Sequence, residues 1–408
     1  MNYIFIDSEE GIDRVGIVED DKLVEFYMDK KDKRKQVGNI YRARVVNVLP
    51  GMEAAFVDIG EGKNAYLHVK NAIPKELMHR KRDIKINEII KNGEEIIVQV
   101  LKEASQNKGA KVTTHITLPG RFLVLTPFSS RISISRKIHE KEEIQRLQNL
   151  GKGMQKENMG IIFRTNSFGV DEDLLVEEYH MLINIYKKIE RERNFLPCPK
   201  LIYSEMDLAQ QIIRDVFNDK IDRVIVNNRQ KYKKLLSFQD ILFPKLSDKL
   251  IYDANFSITS QPEIEKGLKT ALDRKVSLKS GGYIVIDETE ALTVIDVNTG
   301  KFIGSKNLED TVVKTNLEAA EEISRQIRLR DIGGIIVIDF IDMKEDEDVD
   351  LVLNVLQKNL NQDRNKTNII GMTKLGLVEL TRRKVRNSLS SNFIVPCPSC
   401  GGRGKIFS

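Results

Sequence analysis

The sequence predicts a multidomain protein of mixed α+β and α/β class with a small five-stranded barrel near its N-terminus. Three observations lead there. A chain of 408 residues, 41 % hydrophobic and 31 % charged, is too long for one ordinary core and fits two to four domains at roughly 100–200 residues each. Short strand-like runs crowd together between Val37 and Leu118. Residues 281–341 then read strand, turn, strand, long helix, strand, the pattern of an α/β unit.

Taken in order, residues 3–7 and 14–18 form two strands around a glycine-containing turn, and the charged run 29–35 marks a break. Strands at 40–48, 54–58, 65–68, 95–101 and 112–117, separated by Leu49-Pro50-Gly51, Gly60-Glu61-Gly62 and Asn92-Gly93, suggest a barrel of the oligonucleotide-binding type. Residues 119–200 mix short apolar strands with helices around 138–150 and 171–192, and the chain breaks again at Pro197-Cys198-Pro199. A helix at 206–218 and a strand at 223–226 continue the α/β character to about residue 270. Strands at 283–287, 291–297 and 335–341 then enclose a helix over 308–330.

Charge and cysteine usage narrow the function classes. Net charge is only +5, but nine acidic and three basic side chains fall in residues 1–30, against two acidic and nine basic in residues 361–408. A second basic cluster is His79-Arg80-Lys81-Arg82. Segregated positive charge favours a polyanionic partner, although a single basic run is as often a solvated helix face. No stretch approaches the ~20 apolar residues of a membrane span, and the N-terminus lacks the basic and small-residue pattern of a secretory leader. Three cysteines, at 198, 397 and 400, exclude a disulfide framework and point to a reducing cytoplasm.

Two segments carry candidate chemistry. Strand alternation puts Asp296 and Asn298 of Leu292-Thr293-Val294-Ile295-Asp296-Val297-Asn298 on one face, and Ile335-Ile336-Val337-Ile338-Asp339 again sets an aspartate near the end of an apolar strand. A carboxylate buried there must be paired, protonated or metal-bound. Two carboxylates and an amide oxygen suit Mg²⁺; the alternative is a structural ion pair with Arg325, Arg328 or Arg330. At the C-terminus, Cys397-Pro398-Ser399-Cys400-Gly401 is a two-thiolate knuckle. A closed zinc site needs four ligands, so a second copy of the chain would complete it; a redox pair is the alternative. In the barrel, Phe56 and Tyr66 follow small alanines, with Lys108 nearby. They are either stacking surfaces for single-stranded nucleic acid or barrel core.

Longer ordered segments carry a family resemblance. Gly38-Asn39-Ile40-Tyr41 through Met52-Glu53-Ala54-Ala55-Phe56-Val57-Asp58-Ile59-Gly60, Glu290-Ala291-Leu292 through Asn298, Asn316-Leu317-Glu318-Ala319-Ala320 through Gly333-Gly334, Ile336 through Met343, and the cysteine knuckle together resemble the ribonuclease E/G family, in a short form of the ribonuclease G kind. The resemblance implies an S1 barrel at 36–118 inserted in an RNase H-like domain split between 1–35 and 209–271. It further implies a 5′-end-sensing region at 119–208, a DNase I-like catalytic subdomain at 272–393 and a zinc link at 394–408. By the same resemblance Asp296 and Asp339 hold Mg²⁺ with Asn298 orienting one of them. Arg164, Thr165 and Val124 would bind the RNA 5′-monophosphate, Phe56, Tyr66 and Lys108 would grip RNA on the barrel, and Cys397 and Cys400 would share Zn²⁺ between two subunits of a homodimer.

The implied activity is Mg²⁺-dependent endonucleolytic hydrolysis of single-stranded, A/U-rich RNA, favouring 5′-monophosphorylated substrates and leaving 5′-phosphate and 3′-hydroxyl ends. The implied roles are rRNA processing and mRNA decay. The rival from another class is a non-catalytic S1-type RNA-binding or ribosome-assembly protein, whose RNA affinity would ignore Mg²⁺ and both aspartates.

Overall fold

Strand-forming sequence is distributed over four sheets among the described residues. The computed structural model describes the chain apart from residues 31–35, 75–83, 105–107, 156–158, 194, 196, 238–242, 244, 301–307, 396 and 401–408. The basic cluster His79-Arg80-Lys81-Arg82 and the glycines after Cys400 therefore lie outside the described residues. The chain divides into two units: one comprises 1–29, 218–232 and 249–408, the other 30–217 and 233–248.

The first unit holds two sheets. Tyr3–Glu9, Ile12–Glu19 and Lys22–Lys30 form an antiparallel meander, and Arg223–Val226 and Leu250–Tyr252 add in parallel beside Tyr3–Glu9. The sequence reading found the first two strands and missed the third, because residues 22–30 run straight into the charged segment taken as a break. The larger sheet has six strands in the order Lys275–Ser277, Tyr283–Glu288, Leu292–Asn298, Gly334–Asp339, Leu377–Arg382, Thr367–Met372. Its last two strands fall within the implied catalytic subdomain at 272–393, but the sequence reading singled out no strand there and noted only the basic charge of residues 361–408.

The six-stranded sheet is a two-layer structure. Thr293, Ile295 and Val297 alternate inward, as do Ile336 and Ile338, onto Ala319, Ala320, Ile323 and Ile327 of helix Leu308–Leu329 and Val352 and Leu356 of helix Asp346–Leu360. The spacings of three and four residues from Ala320 to Ile323 to Ile327, and of four from Val352 to Leu356, are the apolar stripe of an amphipathic helix. Asp346, Glu347 and Asp348 open the second helix, where acidic side chains favour the N-terminal dipole.

Two buried charge networks tie this unit together. Arg382 Nε and Nη1 each lie 2.6 Å from a carboxylate, of Asp363 and Asp331 respectively, and Nη1 also donates to the Ile332 carbonyl. Glu25 accepts from Arg328 at 2.9 Å and from Tyr27 at 2.6 Å, and is ion-paired with Arg364. Burial pushes the Glu25 carboxyl up, but Arg364, Arg328 and Tyr27 outweigh it and hold the group at about 2.

In the second unit, Ile40–Leu49, Ala54–Asp58, Ala65–His68, Lys111–Thr113 and Glu95–Lys102 pair in that order, and Glu95–Lys102 returns to Ile40–Leu49 to close a five-stranded barrel. This is the barrel expected from the strand spacing; its fifth strand is shorter than the expected 112–117. A four-stranded sheet of Ile132–Ile134, Gly160–Phe163, Leu123–Thr126 and Leu118–Pro119 packs with helices Lys141–Met154 and Glu172–Arg193 around Leu147, Phe163, Leu175 and Tyr179.

The Glu25 network gives the first prediction. A carboxyl held at about 2 in the folded chain, against an ordinary 4.5, contributes stability above pH 4.5 that is lost as pH falls toward 2. Urea titration of native protein and of Glu25→Gln should show a gap that narrows steadily below pH 4.5; a gap independent of pH would contradict the assignment.

Candidate active site and RNA-facing surfaces

Parallel pairing of Leu292–Asn298 with Gly334–Asp339 runs Leu292↔Ile335 to Asp296↔Asp339, so the two aspartates are direct neighbours across the ladder. Partners in a ladder share a face and their strands are about 4.8 Å apart. The crossover between these strands contains helix Leu308–Leu329, as a parallel pair requires. Asn298, two residues on, donates from Nδ2 to Asp296 Oδ2 at 2.8 Å.

The backbone around the pair is fixed from behind. Buried Asn316 accepts from the Ile341 N–H at 3.1 Å and donates to its carbonyl at 2.8 Å, clamping the loop that leaves Asp339. A Cβ on Gly282 would come within 2.8 Å of the Asn298 carbonyl, so only glycine lets these segments approach so closely. Asn316 is the residue sequence reasoning missed; an amide within an apolar helical stripe was its signal.

Two expectations need correction. Asp296 and Asp339 are exposed, not buried. The helices cover one face of the sheet, and the aspartates stand on the other with Val294 and Ile335, which are 38 % and 51 % exposed. Apolar residues on both faces made the strands read as fully buried. The structural ion pair also fails. Arg325 binds Glu322 and the Leu23 carbonyl, Arg328 binds Glu19 and Glu25, and Arg330 binds Gln326 and the Thr270 and Asp273 carbonyls. Among the described residues no basic side chain is paired with Asp296 or Asp339.

No group of three or more His, Cys, Asp or Glu side chains converges on a metal position among the described residues. The donor set still suits Mg²⁺, which keeps several waters and needs only one or two protein carboxylates. Solvent-open carboxylates at one register, one of them oriented by an amide, meet that requirement.

On the barrel, Phe56 and Tyr66 are cross-strand partners with ring centroids 6.1 Å apart in an edge-to-face arrangement. Ala55, Val57, Ala65 and Leu67 fill the interior while both rings are half-buried, so they line the outer wall rather than the core. The His68 ring, 6.3 Å from Tyr66, extends this aromatic row. Lys108 is exposed; a Cβ on the adjacent Gly109 would come within 1.9 Å of the Asn64 carbonyl, which brings this segment directly against the start of the Tyr66 strand.

In the four-stranded sheet, Val124 pairs with Ile162, and Arg164 follows that strand with its N–H on the Phe122 carbonyl at 2.7 Å. The Arg164 guanidinium is held by Asp215 at 2.8 Å and by the Gly120 carbonyl at 2.5 Å. Burial raises the Asp215 carboxyl, but Arg164 and Arg214 bring it below its ordinary value. Thr165 is exposed and shares a 2.8 Å hydroxyl hydrogen bond with Ser135, a residue the sequence reading did not single out. Behind them, buried Glu178 accepts the backbone N–H groups of Arg121, Phe122 and Leu123 at 2.5, 2.8 and 2.8 Å.

Cys397 is exposed and Cys400 half-buried, with no disulfide among the three cysteines. Backbone N–H groups of Cys400 and Ser399 point at the Cys397 sulfur and lower its pKa, the environment a thiolate ligand needs.

A closed barrel of the oligonucleotide-binding type in one unit and, in the other, a sheet with a solvent-open acidic pair define a nucleic-acid-handling protein. Comparison with known proteins makes the class specific. Residues 34–114 match the S1 RNA binding domain, and residues 117–385 match the Ribonuclease E/G family. The chain is 41 % identical over 400 residues to Ribonuclease G of Haemophilus influenzae, covering 96 % of this chain and 82 % of the relative. It is 40 % identical over 402 residues to Ribonuclease G of Escherichia coli, with the same shares covered. Against Ribonuclease E of Synechocystis it is 37 % identical over 380 residues, 91 % of this chain and 56 % of that protein. The chain belongs to the ribonuclease E/G family.

The Glu178 clamp is testable. A Cβ on Gly120 would sit 2.4 Å from Glu178 Oε1. Gly120→Ala should therefore destabilise the protein by about 1–3 kcal/mol, as overpacking does, read as a lowered urea midpoint; an unchanged midpoint would contradict the clamp.

Proposed function

We propose that this chain is a Mg²⁺-dependent endoribonuclease cleaving single-stranded, A/U-rich RNA, with a preference for 5′-monophosphorylated substrates, in cytoplasmic rRNA processing and mRNA decay. Family membership supports the endoribonuclease activity in RNA processing. The observation that carries the metal assignment is the register setting Asp296 opposite Asp339 on the open sheet face. Under this reading the five-stranded sheet of the first unit is the RNase H-like part and the six-stranded sheet is the DNase I-like catalytic part.

Asp296 and Asp339 would hold Mg²⁺, and the Asn298 amide would fix the Asp296 carboxylate through its 2.8 Å hydrogen bond. Bound there, Mg²⁺ supplies Lewis-acid polarisation of a phosphodiester and a more acidic water, chemistry suited to 5′-phosphate and 3′-hydroxyl products. Phe56 and Tyr66 offer stacking surfaces and Lys108 a cation for single-stranded RNA. Arg164, pre-oriented by Asp215, and the Thr165 hydroxyl would hold a 5′-monophosphate, with Val124 behind the terminal nucleotide. Cys397 and Cys400 would supply half of a Cys₄ Zn²⁺ site completed by a second copy, making a homodimer.

Cleavage of one short A/U-rich RNA, bearing a 5′-monophosphate or a 5′-hydroxyl, tests the reading. Native protein should cut internally only with Mg²⁺ and faster on the monophosphate. Asp296→Asn and Asp339→Asn should each lose on the order of 10²-fold or more in kcat, and Arg164→Ala should abolish the 5′-end preference. Full-rate cutting by either aspartate variant would overturn the metal assignment. RNA binding without cleavage would favour a binding-only protein.

The zinc assignment has its own check. Metal analysis should return about one zinc per two chains, lost together with the dimer in Cys397→Ser; one zinc per monomer that survives the substitution would refute a shared site.

A further inference from the structure

The open face that carries the aspartates also carries an aromatic ring and a cation that the metal assignment leaves unused. Strand Tyr283–Glu288 buries Ile284 and Ile286 and turns Tyr283 and Val285 to the face of Asp296. Tyr283 lies directly opposite Asn298, and Val285 opposite Asp296. On the next strand, Lys275 is opposite Val285, so Lys275 shares the open face two strands from Asp296. Its Nζ leans along the sheet, away from its own ladder partner, to lie 3.5 Å from the centre of the Tyr283 ring. That shift carries the ammonium toward Asn298 and the strand ends.

Two adjacent cations at the head of this strand are treated differently. Arg274 is neutralised by Asp287, with Nη2 2.7 Å from Oδ2. Lys275 is exposed and has no carboxylate partner among the described residues. From the loop leaving Asn298, a Cβ on Gly300 would be 3.4 Å from Tyr283 Cδ1, so that loop passes beside the ring.

We infer that Tyr283 and Lys275 form a nucleotide-binding subsite beside the carboxylate pair, the ring receiving a base next to the cleaved bond and the ammonium a neighbouring phosphate. This deepens, and rests on, the reading of Asp296 and Asp339 as the cleavage site. Electrostatics favours such a cation, most of all while no Mg²⁺ is bound. Asp296, Asp339 and exposed Glu379 make the face acidic, and a phosphodiester chain approaching it is repelled unless positive charge stands within reach. A lone ammonium would attract any phosphate. An ammonium beside a ring also selects a nucleotide whose base is unstacked, as single strands provide and duplexes do not.

The test measures affinity and cleavage separately, using the whole chain and a short fluorescent A/U-rich single-stranded RNA. Affinity is read by anisotropy in chelator over a salt series, and cleavage in Mg²⁺. Lys275→Ala should weaken binding several-fold and reduce the slope of log affinity against log salt by about 0.7, the value for one single-strand phosphate contact. Tyr283→Ala should weaken binding at least about fivefold with the slope unchanged, and Tyr283→Phe should bind as native. Both alanine variants should raise KM by a larger factor than they lower kcat. Native affinity and KM in Lys275→Ala and Tyr283→Ala, with Asp296→Asn inactive, would overturn the subsite and leave the cleavage site standing. Full activity in Asp296→Asn would overturn the cleavage site, and the subsite as a flank of it. Loss of affinity in Tyr283→Phe as large as in Tyr283→Ala would also overturn it, because the ring would then not be what the RNA reads.

Discussion

The functional architecture depends on one register: the parallel pairing of Leu292–Asn298 with Gly334–Asp339 that sets Asp296 against Asp339. A slip of one residue would turn one aspartate onto the face covered by the helices, where an unpaired carboxylate is costly. What prevents the slip is the opposite face. Thr293, Ile295 and Val297 on one strand and Ile336 and Ile338 on the other interlock with the stripe of Leu308–Leu329. The apolar core thus positions a polar pair it never touches. Asn316, on the same helix, extends this control to the loop beyond Asp339 through both of its amide hydrogen bonds.

Much of this was legible in the sequence. Alternation in residues 292–298 puts Asp296 and Asn298 on one face, and glycine-separated strands between 40 and 113 specify a barrel. The misreadings share a physical origin. Val294, Ile335 and Val337 put apolar groups on a solvent-open face, so strands of a two-layer sheet looked like strands buried on both sides. Strand Lys22–Lys30 was missed because it ends in charge, and the strands Thr367–Met372 and Leu377–Arg382 because residues 361–408 were read for their net charge rather than for alternation. Which arginines neutralise which acids is a matter of tertiary contact. Only the Arg325–Glu322 pair, three residues apart on one helix, is written in the spacing; nothing there indicates that Arg328 serves Glu19 and Glu25 or that Arg330 serves backbone carbonyls.

The surfaces that would meet RNA share a design in which neighbouring groups of the protein hold the contacting side chains in place. Arg164 is held by Asp215, which is itself held by Arg214. Phe56 and Tyr66 project from a wall whose interior is filled by alanine, valine and leucine. On the six-stranded sheet, Arg274 is consumed by Asp287 while Lys275 rests on Tyr283. Pre-orienting a side chain in this way lowers the entropy lost on binding, the cost that otherwise limits contacts made by long flexible residues.

The most direct measurement is to map where the metal sits without relying on turnover. Fe²⁺ substituted for Mg²⁺ and treated with ascorbate and peroxide generates hydroxyl radicals that cut the backbone locally. Cuts clustered at residues 294–300 and 337–342, suppressed by excess Mg²⁺ and absent in an Asp296→Asn, Asp339→Asn double variant, are the result expected of a metal held between these strands. Cuts elsewhere, or the same cuts in the double variant, would contradict it.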